Sequence, residues 1–223
     1  MNLPTFRLDP MQVDVPVEVE KFLYVVAVDA ASPYQGREDL MAAMKAADTP
    51  IPGTAKKPGS AHDLQLEKLF DAAGAEWTYV HYDGSGGAMR DTLSGAVDVV
   101  LGPWGIWMPH VQEGNARLVF LIKVEKADSE GLADLPIPLE FAMVYEMIHQ
   151  IQGVFTKAGT PKEINQKFAR AFEAATPSNC YKEHVERNVH VVHSFSGDVG
   201  DNSEKFRTSR AAMKTTLTRA GLI

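Results

Sequence analysis

The sequence predicts an α/β fold with doubly wound, mostly parallel sheets. Segments with helical spacing of apolar residues alternate along the chain with short apolar runs of strand length. Two of these runs are almost continuously apolar, which is typical of strands buried on both faces. Because strands that alternate with helices are usually parallel neighbours, we expect helices on both faces of a largely parallel sheet.

A pattern of valines defines the first strand. Four valines near the N-terminus alternate with polar residues or proline: Val13, Val15, Val17 and Val19. This alternation predicts that residues 1–21 form an arm on a neighbour or an edge strand, where proline is tolerated. The apolar run 22–28 predicts a buried strand, and residues 37–47 have the spacing of a short helix.

The centre of the chain contains two Gly-rich loops that each lead into a helix. The first loop ends at Ser60, which forms an S-x-x-D capping box with Asp63 and is therefore a good helix N-cap. Gly74 is placed to end that helix, and residues 77–82 predict a strand. The second loop, 82–87, opens the next helix. Because each helix start offers free N–H groups and a positive dipole end, both loops predict binding of a small anion in one crevice.

The second half of the chain continues the alternation. We predict strands at 96–101, 117–124, 151–156 and 190–192, a loop at 125–140, and helices at 181–187 and 204–220. Pro109 suits the first turn of a short helix that Gly114 ends. Thr160 is predicted as the N-cap of a further helix with Pro161 at its first position. That helix should turn three side chains inward: Ile164, Phe168 and Phe172.

Composition and motif spacing argue against several functions. The formal net charge of −7 without a basic stripe argues against nucleic-acid binding. The single cysteine, Cys180, cannot form an intramolecular disulfide. Neither Gly-rich loop has the spacing of a dinucleotide fingerprint or a P-loop. No apolar run reaches the length of a membrane span, and the N-terminus lacks the apolar stretch of a signal peptide.

Catalytic and metal-binding interpretations are weaker than an anion site. Ser60 and Asp63 are already explained by helix capping, and no G-x-S-x-G motif is present, so we predict no catalytic residues. Three histidines are grouped near the C-terminus: His184, His190 and His193. No cysteine or carboxylate lies at ligand spacing beside them, and residues three apart on a strand face opposite ways, so we expect neither a metal nor another cofactor.

Other side chains near the two loops are candidates for ligand contact. His62 lies in the first turn after Ser60 and can donate a hydrogen bond to an anion, or remain solvated. Lys56 and Lys57 can hold a further carboxylate, although surface lysines are usually solvated. Trp104 and Trp107 either form an aromatic wall beside the crevice or pack in the core. The predicted ligand-binding residues are Thr54, Lys57, Ser60, His62, Ser85, Gly86, Gly87, Ala88 and Trp104.

Five motifs in register give the chain a family resemblance. They are Gly-Ser-Ala-His at 59–62 with Leu69-Phe70, His81-Tyr82-Asp83-Gly84 with Gly86-Gly87, Leu93-x-Gly-x-Val-Asp-Val at 93–99, Met108-Pro109-His110 with Gly114, and Val154-Phe155 followed by Ala158-Gly159-Thr160-Pro161-Lys162-Glu163-Ile164. From about residue 22 to the C-terminus, the chain resembles the solute receptors of tripartite tricarboxylate transporters, the Bug family of periplasmic binding proteins.

The resemblance implies a type II periplasmic-binding fold whose two lobes close on a small carboxylate and then present it to membrane permease subunits. Residues 22–126 resemble the second, ligand-binding lobe, 127–151 a connecting segment, and 152–223 the C-terminal part of the first lobe. One lobe is therefore expected to be complete and the other partial. The resemblance places the protein in the periplasm. Without a signal peptide, a native N-terminus would instead leave it in the cytoplasm.

The chain also departs from the family pattern. Nothing matches the first hundred or so residues of the family's first lobe, which grip one carboxylate of the ligand. Asp83 stands where many members have lysine, and Gly102-Pro103-Trp104 where a Phe-Asp pair is common. Three explanations remain: a fragment, a natural truncation completed by a partner, or a degenerate paralogue that acts as an interaction or assembly protein. An incomplete lobe would expose apolar surface, so we expect self-association through that face.

Overall fold

A computed structural model describes residue 9 and residues 12–46, 51–54, 60–122, 151–187 and 191–219. The chain divides into two compact units, Leu23–Met147 and Met1–Phe22 with Ile148–Ile223. The predicted loop at 125–140, the two lysines of the first ligand loop and His190 lie outside the described residues. The fold is α/β, as the sequence predicts.

Eight strands and seven helices make up the described chain. The strands are β1 Val13–Phe22, β2 Tyr24–Asp29, β3 Ile51–Thr54, β4 Trp77–Tyr79, β5 Val99–Pro103, β6 Ala116–Ile122, β7 Ile151–Lys157 and β8 Val191–Ser196. The helices are α1 Arg37–Ala46, α2 Ala61–Ala73, α3 Ser85–Leu93, α4 Trp104–Gln112, α5 Lys162–Ala175, α6 Asn179–Arg187 and α7 Val199–Arg219. In this part of the chain no helix has the length and apolar character needed to cross a membrane.

The unit Leu23–Met147 is built on a five-stranded sheet with the order β4-β3-β5-β2-β6. Strand β3 is parallel to both of its neighbours, and Gly53 lies opposite Tyr79 on one side and Val99 on the other. Strand β2 is antiparallel to β5 and to β6. Four strands therefore point the same way and β2 alone runs against them, so the expectation of a mostly parallel sheet holds in this unit.

Helices cover both faces of this sheet. Helix α1 packs against α2 and β6, and α2 packs against β5, whereas α3 and α4 both contact β5 and β2. The connections from β3 to β4 and from β4 to β5 run in opposite directions across the sheet. Because such crossovers are right-handed, α2 lies on one face and α3 on the other. The core between these layers is formed largely by β2, β5, β6 and the inner face of α2.

Two predicted helix ends in this unit can be compared with the structure. Ser60 is the N-cap of α2 and its Oγ accepts a hydrogen bond from the Asp63 N–H at 3.2 Å, while Gly74 ends the helix with φ of 66°. Both predictions are confirmed. The placement of Pro109 in a first helical turn is wrong, because α4 begins at Trp104, directly after β5, and Pro109 lies inside it.

The second unit contains a three-stranded sheet with the order β7-β1-β8. Both described pairings are antiparallel, so this sheet is not mostly parallel. The prediction of an edge strand or arm at the N-terminus is also wrong, because β1 is the central strand and its four valines are buried. Pro16 is accommodated because the pairing with β7 is irregular between Asp14 and Val17, so no regular ladder bond is required there.

Helices α5 and α7 pack on β1 in this unit. Helix α5 is joined to β7 by a 2.9 Å hydrogen bond from Thr156 Oγ1 to Asn165 Oδ1. Helix α7 is joined to β1 where the Val15 N–H donates to Ser203 Oγ at 2.8 Å. Arg207 reinforces that junction through a 3.0 Å ion pair with Asp14.

The predicted start and inner face of α5 both need correction. Pro161, not Thr160, is the N-cap, because the Thr160 hydroxyl instead donates to the Lys157 carbonyl at 2.6 Å. Two of the three predicted inward side chains are exposed, Ile164 to 44% and Phe168 to 40%. The amphipathic pattern therefore marks an apolar face that the described part of this unit leaves open to solvent.

Candidate functional site

The carboxyl ends of β3, β4 and β5 meet at one edge of the five-stranded sheet, because these three strands are parallel. Each is followed by the start of a helix: β3 by α2, β4 by α3 and β5 by α4. This arrangement agrees with the expectation that the two Gly-rich loops lie at one edge, and it adds the start of α4. We refer to the ends of these strands and the first turns of these helices as the carboxyl edge.

Thr54 is the last residue of β3 and is fully buried, with 0% of its surface exposed. Its Oγ1 has no hydrogen-bond partner in the described part of the chain. A buried hydroxyl without a partner costs about 1–3 kcal/mol. Of the predicted ligand-binding side chains, Thr54 therefore has an unmet requirement for a hydrogen bond that a bound molecule would satisfy.

The start of α2 follows β3. Ser60 is half-buried, and its Oγ accepts from the Asp63 N–H, so the hydroxyl proton remains able to donate to a ligand. His62, in the first turn, is buried to 9% exposure. Lys57, the remaining candidate in this loop, lies outside the described residues.

The start of α3 follows β4 and has no side-chain cap. Gly84 is the extended N-cap residue and makes no side-chain hydrogen bond, so Ser85 and Gly86 occupy an uncapped first turn. Gly87 is also in this turn. Ala88, the next residue, is buried at 1% exposure.

The side chain of Tyr82 packs against the start of α3. A Cβ at Gly87 would lie 3.0 Å from Tyr82 Cδ1, so a larger residue here would require the tyrosine ring to move. The Tyr82 hydroxyl donates to Asp91 Oδ2 at 2.6 Å. Burial, followed by this hydrogen bond, raises the pKa of Tyr82 to about 12. Arg90 lies 3.8 Å from Asp91 in an exposed ion pair.

The start of α4 follows β5. Pro103 is its N-cap and provides no side-chain cap, and the Trp104 N–H donates to the Leu23 carbonyl at 2.9 Å. Trp104 is half-buried and remains a candidate for ligand contact. Trp107 is fully buried, so for this residue the packing interpretation is correct and the aromatic-wall interpretation is wrong.

The structure adds Tyr24, which sequence reasoning missed. Tyr24 begins β2, and because β2 runs against its neighbours this residue lies beside Pro103 at the carboxyl edge. Its ring meets the ring of His62 edge to face, with centroids 4.6 Å apart. The signal in the sequence was a tyrosine at the start of a buried strand, but only the strand order brings it to α2.

A solvent-open cleft of about 450 Å³ lies at the opposite edge of this sheet, away from the predicted ligand residues. It is lined by Asp29, Ala30, Ala31, Leu93, His110, Glu113, Gly114 and Asn115. The C-terminal ends of α3 and α4 and two carboxylates border it, which disfavours an anion. No group of three metal-ligating side chains occurs within the described ranges.

Solved structures define the fold, and a sequence profile defines the family. A TctC solute binding protein from Polaromonas with no ligand superposes with a TM-score of 0.83 at 14% identity, covering 98% of this chain and 73% of that chain. The fold is therefore that of a solute-binding receptor of the periplasmic binding protein type. A sequence profile described as tripartite tricarboxylate transporter family receptor, TctC, matches residues 7–210. The chain belongs to this family.

Two further neighbours were solved with carboxylates. An R. palustris protein with adipate has a TM-score of 0.73 and 22% identity, covering 98% of this chain and 72% of that chain. MatC from Rhodopseudomonas palustris with bound malate has a TM-score of 0.73 and 15% identity, covering 96% and 73%. No curated protein matches the sequence. Members of this family are periplasmic receptors, not enzymes.

Proposed function

We propose that the protein is the receptor component that captures a small carboxylate for a tripartite tricarboxylate-type transporter. The observation that carries the proposal is the buried Thr54 hydroxyl, which has no partner among the described residues, at the end of a strand that leads into a helix start. Family membership and the carboxylates bound by two structural neighbours support the same substrate class.

The proposed mechanism uses backbone amides and neutral donors. Free N–H groups in the first turns of α2 and α3 receive the carboxylate oxygens, and the two helix dipoles stabilise the negative charge. Hydroxyl groups of Thr54, Ser60 and Ser85 add hydrogen bonds, and His62 donates from the start of α2. The glycines at 86 and 87 let the anion approach the α3 backbone.

Three further residues complete the proposed site. Ala88, buried directly after the three free amides of the first turn, completes the α3 start. Lys57 supplies a positive charge for a second carboxylate of the ligand. Trp104 packs beside the apolar part of the ligand from the start of α4. The loaded receptor then delivers its ligand to the membrane permease subunits from the periplasm.

Isothermal titration calorimetry tests this proposal. The full chain is titrated with adipate, malate, succinate and citrate, and with the uncharged diamide of adipate as a matched control. We expect saturable binding of at least one acid and none of the diamide, since the amide lacks the charge that the helix starts stabilise. Equal heats from the acid and the diamide, or no binding across the panel, would refute the proposal.

A second candidate function is an interaction or assembly role without carboxylate binding, and the apolar surface of the second unit favours it. Phe155 is 43% exposed on β7, where it contacts Phe206 of α7 at 5.2 Å between ring centroids. Its neighbour Thr156 bonds to α5, so Phe155 lies on the opposite sheet face from Ile164 and Phe168. Exposed apolar groups therefore flank β7 on both faces.

The occupant proposed for this surface is a second copy of the chain. In the described sheet β7 pairs with β1 on one side only. If β7 paired with β7 of a second copy about a two-fold axis, the apolar groups on each sheet face would meet the same groups of the other copy. Light scattering should give twice the chain mass, and Ile164→Ser with Phe168→Ser should restore a single-chain mass. Lys167→Glu on the same helix should leave the dimer intact. A wild-type mass of one chain at high concentration would contradict this role.

A further inference from the structure

Two buried aromatic rings meet at the carboxyl edge. Tyr24 is 3% exposed and His62 is 9% exposed, and their rings are 4.6 Å apart at an angle of 76°. Tyr24 lies opposite Pro103 at the end of β5 and Ile122 at the end of β6. The tyrosine is therefore fixed by two neighbouring strands, whereas His62 belongs to the first turn of a helix.

This geometry restricts the imidazole. An edge-to-face pair aligns the positive edge of one ring with the negative face of the other, which favours a defined ring direction. The ring of Tyr24 also stays neutral, because burial raises the pKa of its hydroxyl. A neutral, strand-held ring can orient His62 without adding a negative charge beside a site for anions.

The start of β2 contacts two helix starts. The carbonyl of Leu23, the residue before β2, accepts a hydrogen bond from the Trp104 N–H at the start of α4, while Tyr24 contacts His62 in the first turn of α2. Two consecutive residues at the start of β2 thus contact both first turns. In sequence these three parts are far apart.

We propose that Tyr24 is a positioning residue of the carboxylate site, which holds the His62 imidazole in the direction from which it donates to the ligand. The inference rests on the proposed function for its effect on affinity. The orientation of the His62 ring by Tyr24, which does not depend on that function, can be measured without any ligand.

The experiment uses the ligand-free full chain and three variants. Tyr24→Phe keeps the ring, Tyr24→Leu removes it, and Phe120→Leu removes a fully buried ring from β6 of the same sheet as a matched control. The readout is the pair of His62 ring ¹⁵N resonances, assigned with His62→Gln, because they report the tautomer and hydrogen bonds of the imidazole and respond far less than ring protons to the loss of a neighbouring ring current. Affinity for the tightest-binding acid is measured alongside by calorimetry.

We expect Tyr24→Leu to shift the His62 resonances and Tyr24→Phe and Phe120→Leu to leave them in place. Affinity should fall about 3- to 10-fold in Tyr24→Leu, in line with the usual strength of an aromatic pair, and recover in Tyr24→Phe. Unchanged His62 resonances in Tyr24→Leu would overturn the inference. If the His62 resonances shift in Tyr24→Leu but the wild type binds none of the acids, the proposed function and the predicted effect on affinity are refuted. The contact by which Tyr24 orients His62 would still be supported.

Discussion

Thr54→Val offers a test in which stability and affinity should change in opposite directions. The side chain is fully buried, its Oγ1 has no partner in the described chain, and valine has nearly the same shape. A buried hydroxyl of this kind costs about 1–3 kcal/mol, so its replacement by a methyl group should stabilise the ligand-free protein by up to about that amount. The same change would remove the proposed hydrogen bond to the ligand and should weaken binding about 10-fold or more.

Urea unfolding and calorimetry measure the two effects. Thr92→Val is the matched control, because Thr92 is equally buried but its hydroxyl already donates to the Ala88 carbonyl at 2.9 Å. That variant should lose about 1 kcal/mol of stability and keep its affinity for the acid. If Thr54→Val is destabilised like Thr92→Val and binds as tightly as the wild type, the hydroxyl has no role in binding and the reasoning fails.

Three other predictions concern the framework of the site. Gly102→Ala would place a Cβ 2.7 Å from Nε1 of the fully buried Trp107 and should lower the free energy of unfolding in urea by about 1–3 kcal/mol. Gly86→Ala is the control, because its Cβ would meet nothing within 4 Å and the change should be tolerated. Equal stabilities of the two variants would refute this prediction. The pKa of Tyr82 is raised to about 12, so the stabilising contribution of the protonated hydroxyl is complete below the ordinary tyrosine pKa and is lost as the pH rises towards 12. Unfolding titrations across this pH range should therefore show that the wild type loses more stability than Tyr82→Phe. Ser60→Ala should cost about 0.5–2 kcal/mol of unfolding free energy and weaken ligand binding; an unchanged melting temperature would contradict its role as N-cap.

Local signals in the sequence predicted the elements around the site well. The capping box at Ser60, the glycine at 74 and the continuous apolar run before Asp29 each depend on interactions within a few residues, and the structure agrees with all three. The start of α4 was misplaced because Pro109 is a strong local marker, while the actual start depends on where β5 ends.

Features set by distant parts of the chain were not predictable in the same way. Pro16 favours an edge strand, but an irregular pairing with β7 lets the strand lie at the centre of its sheet. Ile164 and Phe168 form an apolar face that no described neighbour covers. Tyr24 joins the site only because β2 is inserted, reversed, between β5 and β6.

The reversed direction of β2 has a consequence for how ligand preference can change. It adds residue 24 to an edge that the three parallel strands already furnish with stretches near residues 54, 60–62, 85–88 and 104. Grafting any one of these stretches onto a relative would transfer only a fraction of the recognition chemistry. Under the proposed function, ligand preference should therefore change through single substitutions, each altering one of these stretches while the others continue to bind the anion.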